Sequence, residues 1–470
     1  MISKTNPQAI APYLKDASNF SGGHAAEVMI PESKAELIDY LKSNRGFVTI
    51  AGAGTGLTAS RIPNSGVVIS LERFNEIGPQ EDLTITVGPA VRLADLDSHL
   101  QSAFYPPNPT EMLAFIGGTI ATNASGSRSY KFGTTRDYVL ELELVLADGR
   151  MVHVKRGQTI ENPLRCADGS SVSFPKIRYQ SPNCKNAAGY FVRPGMDWVD
   201  LFVGSDGTLA IITQACLKLL PRPADFISGI LFFNEEDACW RLVESIKTSK
   251  SDMVDPCSLE YFDGYSLQRL RPQYENIPGR AQAALFFEQN IPESVNYGSS
   301  LQAWYEFFEK EEVLLDDSWF AENPKDVERF HGFRHAIPLL LNEENSRLGR
   351  VKVGTDMAVK DEYFTDMMRF YRRRLCESGL AYVMFGHIGD NHIHINLLPS
   401  KEEMELARST YQALVDQILK WHGTISAEHG IGKLKKEFFR QMVGEEALND
   451  LRKIKTNLDP NNLLGVGNIL

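Results

Sequence analysis

Two runs of small residues in the first third of the chain constrain its fold more than any other feature of the sequence. One spans residues 51–58 after a strand-like segment, and the other spans residues 116–126, where bulky side chains are nearly absent. The backbone amides of such a run can form an anion-binding concavity, and the bare backbone can lie against a large flat ligand. A tight turn would explain one such run, but two in one domain predict a ligand-binding cradle.

The first run does not fit the nicotinamide-binding fingerprint. Glycines at 52 and 54 would require a third glycine where the chain has Leu57, and Pro63 follows too soon for a helix. We therefore expect a diphosphate-binding loop of another kind.

Helical and strand-like segments alternate in the N-terminal half, which predicts an α+β fold. Ser33 and Glu36 form a capping box ahead of an amphipathic helix, and residues 47–50 have the composition of a strand. Prolines at 221 and 223 mark a predicted domain boundary. Residues 156–195 show little periodicity, so we predict a long irregular excursion there.

The charge and cysteine content exclude several classes of protein. The 470 residues include 60 Asp and Glu against 49 Lys and Arg, and an acidic chain without a basic tract is not expected to bind nucleic acid. The six cysteines lie far apart with no C-x-x-C pair, which argues against structural zinc and iron–sulfur clusters. No stretch is typical of a membrane span or a signal peptide, and we expect a cytoplasmic protein.

A histidine-rich segment near the C-terminus predicts a metal site. If Asp390 and Asn391 form a two-residue hairpin loop, His387 lies directly opposite His394. The period of two then places His392, His394 and Asn396 on one face of the strand, and an isolated His392 is most simply a core residue. Two imidazoles and a carboxylate are a frequent ligand set, so we predict His387, His394 and Glu428 as ligands of zinc or manganese. These three residues alone would equally fit a metal-dependent hydrolase.

Five segments resemble, in order along the chain, the FAD-binding domain of the vanillyl-alcohol oxidase and p-cresol methylhydroxylase superfamily: residues 52–58, 106–109, 116–126, 133–139 and 204–208. The resemblance implies a two-subdomain FAD-binding domain at 1–223, an α+β substrate (cap) domain at 224–423, and a C-terminal segment at 424–470 that carries catalytic residues and closes on the flavin. Asp206 and Ala210 depart mildly from the usual Glu and Gly. The FAD contacts implied are Ala53, Gly54, Thr55, Gly56, Leu57, Thr58, Pro107, Gly117, Gly118, Thr122, Asn123, Gly126, Gly133, Gly207 and Thr208.

Within that superfamily the chain resembles the D-2-hydroxyacid dehydrogenases, including D-lactate dehydrogenases, the glycolate oxidase flavin subunit and D-2-hydroxyglutarate dehydrogenase. The G-H-x-G-D-x-x-x-H-x-N motif of this branch matches residues 386–396, and its S-x-E-H-G-x-G motif matches residues 426–432. The resemblance supports the metal ligands and implies that Arg334 clamps the substrate carboxylate. Oxidation of a 2-hydroxy acid requires removal of the hydroxyl proton, and we expect His429, adjacent to the ligand Glu428, to be the base and Asn396 to orient the substrate.

The resemblance further implies noncovalent FAD, hydride transfer from substrate C2 to flavin N5, and electron transfer to an external acceptor such as a quinone, a cytochrome or an electron-transfer flavoprotein. Hydroxyglutarate members have a Thr where this chain has Pro338 and a Lys where it has Gly354, although Lys352 lies one strand repeat earlier. We therefore favour a lactate-like or glycolate-like acid, with D-2-hydroxyglutarate as the alternative. A flavin-containing scaffold without turnover, a homo-oligomer, and membrane association through a partner remain open.

Overall fold

The computed structural model describes residues 1–249, 251 and 253–470. Its first sheet has four strands in the order β1-β2-β4-β3, with β2, β4 and β3 parallel and β1 antiparallel at the edge. Ser33 caps the second helix by accepting a hydrogen bond from the Glu36 backbone, which confirms the predicted helix start. The elements of this part are β1 (Ile2–Lys4), α1 (Pro7–Ile10), β2 (Glu27–Ile30), α2 (Lys34–Ser43), β3 (Val48–Ala51) and β4 (Val67–Ser70).

The second part is built on a five-stranded antiparallel sheet with the order β5-β6-β12-β8-β9. The predicted irregular excursion at 156–195 contains one short hairpin, in which β10 pairs with β11. The loop that follows β3 contains no helix, as expected for a chain without the nicotinamide-binding fingerprint. The elements are β5 (Ile77–Glu81), β6 (Thr84–Val87), α3 (Leu93–His99), β7 (Ala103–Phe104), α4 (Ile116–Thr122), α5 (Ser129–Phe132), β8 (Val139–Val145), β9 (Met151–Lys155), β10 (Leu164–Arg165), β11 (Ser171–Val172), α6 (Trp198–Phe202), β12 (Ile211–Lys218) and β13 (Leu220–Pro221).

The third part is an eight-stranded sheet with helices packed on it. The strand order is β17-β14-β16-β15-β20-β21-β18, and β19 also pairs with β21. The elements are β14 (Asp225–Phe233), α7 (Glu236–Thr248), β15 (Ser258–Asp263), α8 (Gly264–Leu270), β16 (Ala283–Ile291), α9 (Tyr297–Lys310), β17 (Trp319–Phe320), α10 (Pro324–Leu348), β18 (Val353–Gly354), β19 (Met357–Ala358), α11 (Phe364–Ser378), β20 (Tyr382–Gly386), β21 (His392–Leu397), α12 (Met404–Lys420) and α13 (Lys436–Leu458).

Amphipathic patterning explains how the helices attach to the sheets. The residues that form the apolar faces of α7 and α11 are buried, which agrees with their helical spacing. After α13 the chain returns to the first sheet, where Leu464 bridges to Val48 of β3. The last residues of the chain therefore lie beside the first small-residue run. Across the described residues, no helix combines the length and the apolar character that crossing a bilayer requires.

The register of the β20–β21 hairpin corrects the sequence prediction. His394 lies opposite Phe385, and not opposite His387, because residues 387–391 form a longer connection with a 3-10 turn. A two-residue type I′ loop needs positive φ at both central residues, and of the predicted pair only Asn391 has it, with φ 54°. The carboxylate of Asp390 is instead drawn to Ser129, whose hydroxyl donates to it over 2.5 Å.

A buried ion pair joins the second and third parts. Arg128, just before α5, donates to Glu288 of β16 over 2.6 Å, and His331 Nε2 lies 3.3 Å from the other carboxylate oxygen. Burial opposes ionisation of Glu288, but the charges of Arg128 and His331 lower its pKa to about 2. The carboxylate is therefore ionised at neutral pH and holds the two sheets together.

Replacing Glu288 with Gln should lower the free energy of unfolding at pH 7 by about 3 kcal/mol, because Arg128 is left without its counter-charge. The native carboxylate stabilises the fold above its unfolded-chain pKa of 4.5, and this contribution disappears as the pH falls through about 2. Denaturant melts of E288Q should consequently show less loss of stability across that range than the wild type. The exposed Glu405→Gln serves as control, and equal acid sensitivity of E288Q and wild type would contradict this account.

Candidate functional site

A cleft of about 1130 Å³ opens between the first two parts of the chain and the large sheet. Residues 50–61, 114–126 and 205–212 contribute to one wall. The other wall carries Glu260, Arg334, His387 and His394 of the β20–β21 hairpin, and residues 428–429. Both small-residue runs and the predicted metal ligands therefore face one continuous space.

The first small-residue run is shaped to hold an anion. The backbone N–H groups of residues 53–57 donate to no other group in the described part of the chain, and these residues line the cleft. Gly54 has φ +89°, and a Cβ there would collide with the Arg61 guanidinium. Such a loop of free amides fits the diphosphate of a dinucleotide.

The second run forms the short helix α4, and it leaves room for a large flat ligand. A Cβ added to Gly118 would meet nothing within 4 Å. The same holds for Gly56 in the first run, so both glycines leave open space that larger side chains would fill. The residues present therefore fit a dinucleotide with a large flat ring, such as FAD.

Most of the predicted flavin contacts lie on the cleft wall. These are Ala53, Gly54, Thr55, Gly56, Leu57, Thr58, Gly117, Gly118, Thr122, Gly126 and Gly207. Four others are not brought to it: Pro107, Asn123, Gly133 and Thr208. Asn123 ends α4 with φ 49° and accepts from the Arg136 backbone, and the Thr208 hydroxyl bonds to Tyr190 and Ser205, so these two side chains support the wall from behind.

Glu428 is at the centre of the predicted metal site. Its Oε1 lies 3.2 Å from His394 Nε2, and its Oε2 lies 3.3 Å from His387 Nε2. Possible ligand atoms of these three residues and of His392 all lie within 4.8 Å of one another. The predicted face of β21 is confirmed, because the His392 and His394 rings lie 4.4 Å apart while Ile393 and Ile395 are fully buried behind them.

Neighbouring groups orient the imidazoles for metal binding. His387 Nδ1 lies 2.6 Å from Glu260, and His394 Nδ1 lies 3.3 Å from the Thr355 carbonyl oxygen. Both rings therefore direct Nε2 toward Glu428, which is the arrangement of a metal-ligating histidine with a second partner on its other nitrogen. The donor set fits a divalent ion such as zinc or manganese.

The Glu428 carboxylate, whose side chain is 12% exposed, is held in its charged form. Burial opposes ionisation, but the charges of His387 and Lys185 keep the pKa of Glu428 well below its usual range. Lys185 is 5% exposed, lies 3.5 Å from Glu428, and also pairs with Asp390 at 3.2 Å. A charged carboxylate is the form that binds a metal ion.

His429 lies beside this cluster and between two carboxylates. Its Nε2 lies 3.5 Å from Glu428 Oε1, and its Nδ1 lies 3.4 Å from Asp356 Oδ2. Asp356 also accepts from Lys435 over 2.6 Å and lies 3.0 Å from His392, which is fully buried. Burial opposes ionisation of Asp356, but His429 and Lys435 hold its pKa well below its usual range. The imidazole of His429 is thus oriented by a partner that is ionised at neutral pH.

Arg334 and Asn396 lie on the same wall, although neither belongs to the cluster. Arg334 Nε is 3.3 Å from Glu260, and Nη1 is 2.6 Å from His335 Nε2. Burial and the adjacent Arg334 charge lower the pKa of His335 to about 4, so this imidazole is neutral and can accept from the guanidinium. Asn396 pairs with Gly354, where a Cβ would lie 3.2 Å from its Oδ1.

Several charged residues of the site escaped the sequence analysis, including Asp356 and Lys435, and Glu260 and Lys185 show why. Glu260 lies in β15, whose six residues are all buried, and a carboxylate in such a strand is itself a signal of a buried partner. Lys185 lies in the irregular excursion, where nothing in the local pattern indicates that its ammonium reaches Glu428. Both depend on contacts between residues far apart in sequence.

Comparison with known proteins now identifies the family. A model described as the C-terminal domain of FAD linked oxidases matches residues 222–469, and a model described as an FAD binding domain matches residues 25–155. The chain belongs to the FAD-linked oxidase family. It is thus an FAD-linked oxidoreductase, and its family does not support the metal-dependent hydrolase considered above.

Relatives and solved structures agree with this membership. The chain is 28% identical to the glycolate oxidase subunit GlcD of Bacillus subtilis over 88% of this chain and 82% of that protein. It is 29% identical to a D-lactate dehydrogenase of Archaeoglobus fulgidus over 99% of this chain and 94% of that protein. A solved alkyldihydroxyacetonephosphate synthase shares the fold with a TM-score of 0.69 and 14% identity, covering 98% of this chain and 81% of that one. The FAD-binding domain is accordingly of the vanillyl-alcohol oxidase type.

Gly118→Leu should abolish flavin retention without unfolding this FAD-linked oxidase, because the new side chain would occupy open space in the cleft. The flavin-to-protein absorbance ratio after purification and a thermal melt measure the two effects. Gly279→Leu is the matched control, since Gly279 is exposed outside the cleft and also has nothing within 4 Å of an added Cβ. G118L protein that is purified with a full complement of flavin would show that the flavin does not bind beside Gly118.

Proposed function

We propose that this FAD-linked oxidase oxidises a D-2-hydroxy acid to the 2-oxo acid with the help of a divalent metal ion, and passes the electrons to a separate acceptor. The observation that carries the proposal is the single cleft in which the flavin-binding loops face the His387–His394–Glu428 cluster, His429 and Arg334. A 2-hydroxy acid has a carboxylate that Arg334 can bind, a hydroxyl oxygen that a metal ion can bind, and a hydroxyl proton that His429 can accept. These three groups of the cleft therefore match such a substrate.

In the proposed reaction, each of these side chains performs one task. When bound, FAD supplies a two-electron acceptor for the C2 hydride, and the divalent ion supplies a Lewis acid for the hydroxyl oxygen. Arg334 binds the substrate carboxylate, for which a planar guanidinium is well suited, and Asn396 orients the substrate. His429 takes the hydroxyl proton at Nε2, while Asp356 at Nδ1 stabilises the imidazolium that forms.

In this proposal, three consecutive regions of the chain have different roles. Residues 1–223 bind the flavin, residues 224–423 bind the substrate, and residues 424–470 close on the flavin and contribute Glu428 and His429. The contact between Thr58 of the flavin loop and the His429 carbonyl oxygen supports this closure. The acceptor is a quinone, a cytochrome or an electron-transfer flavoprotein, and the enzyme acts in the cytoplasm or at a membrane through such a partner.

The substrate is a lactate-like or glycolate-like acid. Pro338 and Gly354 line the cleft where neither supplies a side-chain donor for a second carboxylate. The names of the B. subtilis and A. fulgidus relatives refer to the same two acids. D-2-Hydroxyglutarate is the second candidate, because Lys352 also lines the cleft and donates to Asn342 over 2.9 Å. A relative from Oryza sativa, 25% identical, is named as a probable D-2-hydroxyglutarate dehydrogenase.

Stopped-flow mixing of the anaerobic holoenzyme with D-lactate, glycolate and D-2-hydroxyglutarate tests the function. We expect rapid bleaching of the flavin by at least one of these acids, with L-lactate and L-2-hydroxyglutarate much slower than their D enantiomers. A flavin that stays oxidised with every acid of the panel would overturn the proposal and favour a scaffold without turnover.

His429→Asn should slow flavin reduction by about 100- to 10,000-fold, since the hydroxyl proton loses its acceptor. The flavin spectrum should not change, because His429 belongs to the cleft wall that carries the histidine cluster and not to the wall formed by the small-residue runs. His422→Asn is the control, because His422 is exposed and its φ of 53° suits Asn. Wild-type reduction by H429N would remove His429 from the role of base.

Glu260→Gln should weaken metal binding by about 10- to 100-fold, because His387 loses the charged group that holds its ring. Competition with a chromophoric chelator measures the affinity. Glu288→Gln removes a buried carboxylate from the neighbouring strand without touching the cluster and should bind the metal normally. Equal affinity of E260Q and wild type would argue against His387 as a ligand.

A further inference from the structure

Arg61 follows the first small-residue run and is held against it. Its side chain lies in contact with Gly54, and Nη2 donates to the Pro12 carbonyl oxygen over 3.3 Å. The N-terminal segment closes over the same place, because the Ala17 backbone donates to the Gly54 carbonyl oxygen over 3.0 Å. Arg61 and residues 16–19 line the cleft together with the loop. The guanidinium is thus fixed at the edge of the anion-binding concavity.

The charge of Arg61 is not matched by a protein carboxylate within ion-pair distance among the described residues. Its Nε is buried without a hydrogen-bond partner. Burial lowers the pKa of Arg61, and the more distant Asp16, Tyr13 and Glu72 partly offset this effect. Glu72 accepts from Tyr13 and Ser70, and Asp16 accepts from the Ser18 backbone. Arg61 therefore remains a cation with unused donors.

An anionic ligand at the adjoining loop would supply the negative charge that Arg61 lacks among the described residues. The amides of residues 53–57 carry partial positive charge into the same space, so a diphosphate bound there would lie between the free amides and a guanidinium. A guanidinium binds phosphate oxygens through charge-assisted hydrogen bonds, which are stronger than bonds between neutral groups. The flavin ring and the adenosine offer no comparable negative charge.

We propose that Arg61 binds the diphosphate of FAD and adds an ionic component to flavin retention beyond the contacts of the glycine loop. This role concerns the cofactor alone and is independent of which acid the enzyme oxidises.

Flavin release from the full-length holoenzyme tests the proposal. Diluted holoenzyme is followed by the fluorescence of free FAD at increasing ionic strength. Arg61→Gln should raise the FAD dissociation constant by about 10- to 100-fold, as expected for loss of a hydrogen bond to a charged group. The wild-type constant should rise with salt more steeply than that of R61Q, because the variant has lost one screened charge. Arg61→Lys should retain the salt dependence with intermediate affinity.

Competition between ligands distinguishes a diphosphate contact from a structural role. After flavin release, ADP and adenosine compete with FAD for the full-length chain. R61Q should weaken inhibition by ADP and leave inhibition by adenosine unchanged, and exposed Arg45→Gln should alter neither. Equal losses for ADP and adenosine, or an FAD affinity and salt dependence equal to wild type in folded R61Q, would overturn the proposal. If R61Q does not fold, the salt dependence of FAD binding by R61K provides the test. A salt dependence different from that of the wild type would refute the ionic role of Arg61.

Discussion

The carboxylate of Glu428 is the interaction on which the site depends. It lies within 3.5 Å of nitrogen atoms from three imidazoles and one ammonium, which come from three segments of the chain: His387 and His394, His429, and Lys185. The hydroxyl of Ser125, which lies in the second small-residue run, also donates to Glu428 over 3.2 Å. Because one buried charge is shared among the flavin domain, the hairpin and the C-terminal segment, these parts must meet in one arrangement for any of them to be satisfied.

The same need for charge balance organises the surroundings of Glu428. Glu260 is ionised between His387 and Arg334, with burial opposing its charge and these two cations lowering its pKa to about 2. Asp356 occupies the equivalent place between His429 and Lys435. Two buried carboxylates thus orient His387, Arg334 and His429 before substrate arrives. Pre-organisation of this kind reduces the rearrangement required during reaction.

Short-range patterns predicted much of the fold, whereas long-range contacts escaped prediction. Ser33 marked the start of α2 correctly, and the alternation in β21 placed His392 and His394 on one face, because both features depend on neighbours in sequence. The hairpin register was wrong because Asp390 accepts a hydrogen bond from Ser129 and pairs with Lys185, which lie 261 and 205 residues away in the sequence. Propensities of the loop residues carry no information about such partners.

In the proposed reaction, flavin, metal and substrate meet in one cleft. Holoenzyme stripped of metal but not of flavin, mixed anaerobically with the D-2-hydroxy acid that bleaches the untreated enzyme, tests this claim. We predict that the bleaching rate is low without metal, rises with added zinc or manganese, and saturates at about one equivalent per chain, as expected for one site. Full-rate bleaching in protein shown by elemental analysis to be metal-free would contradict the account.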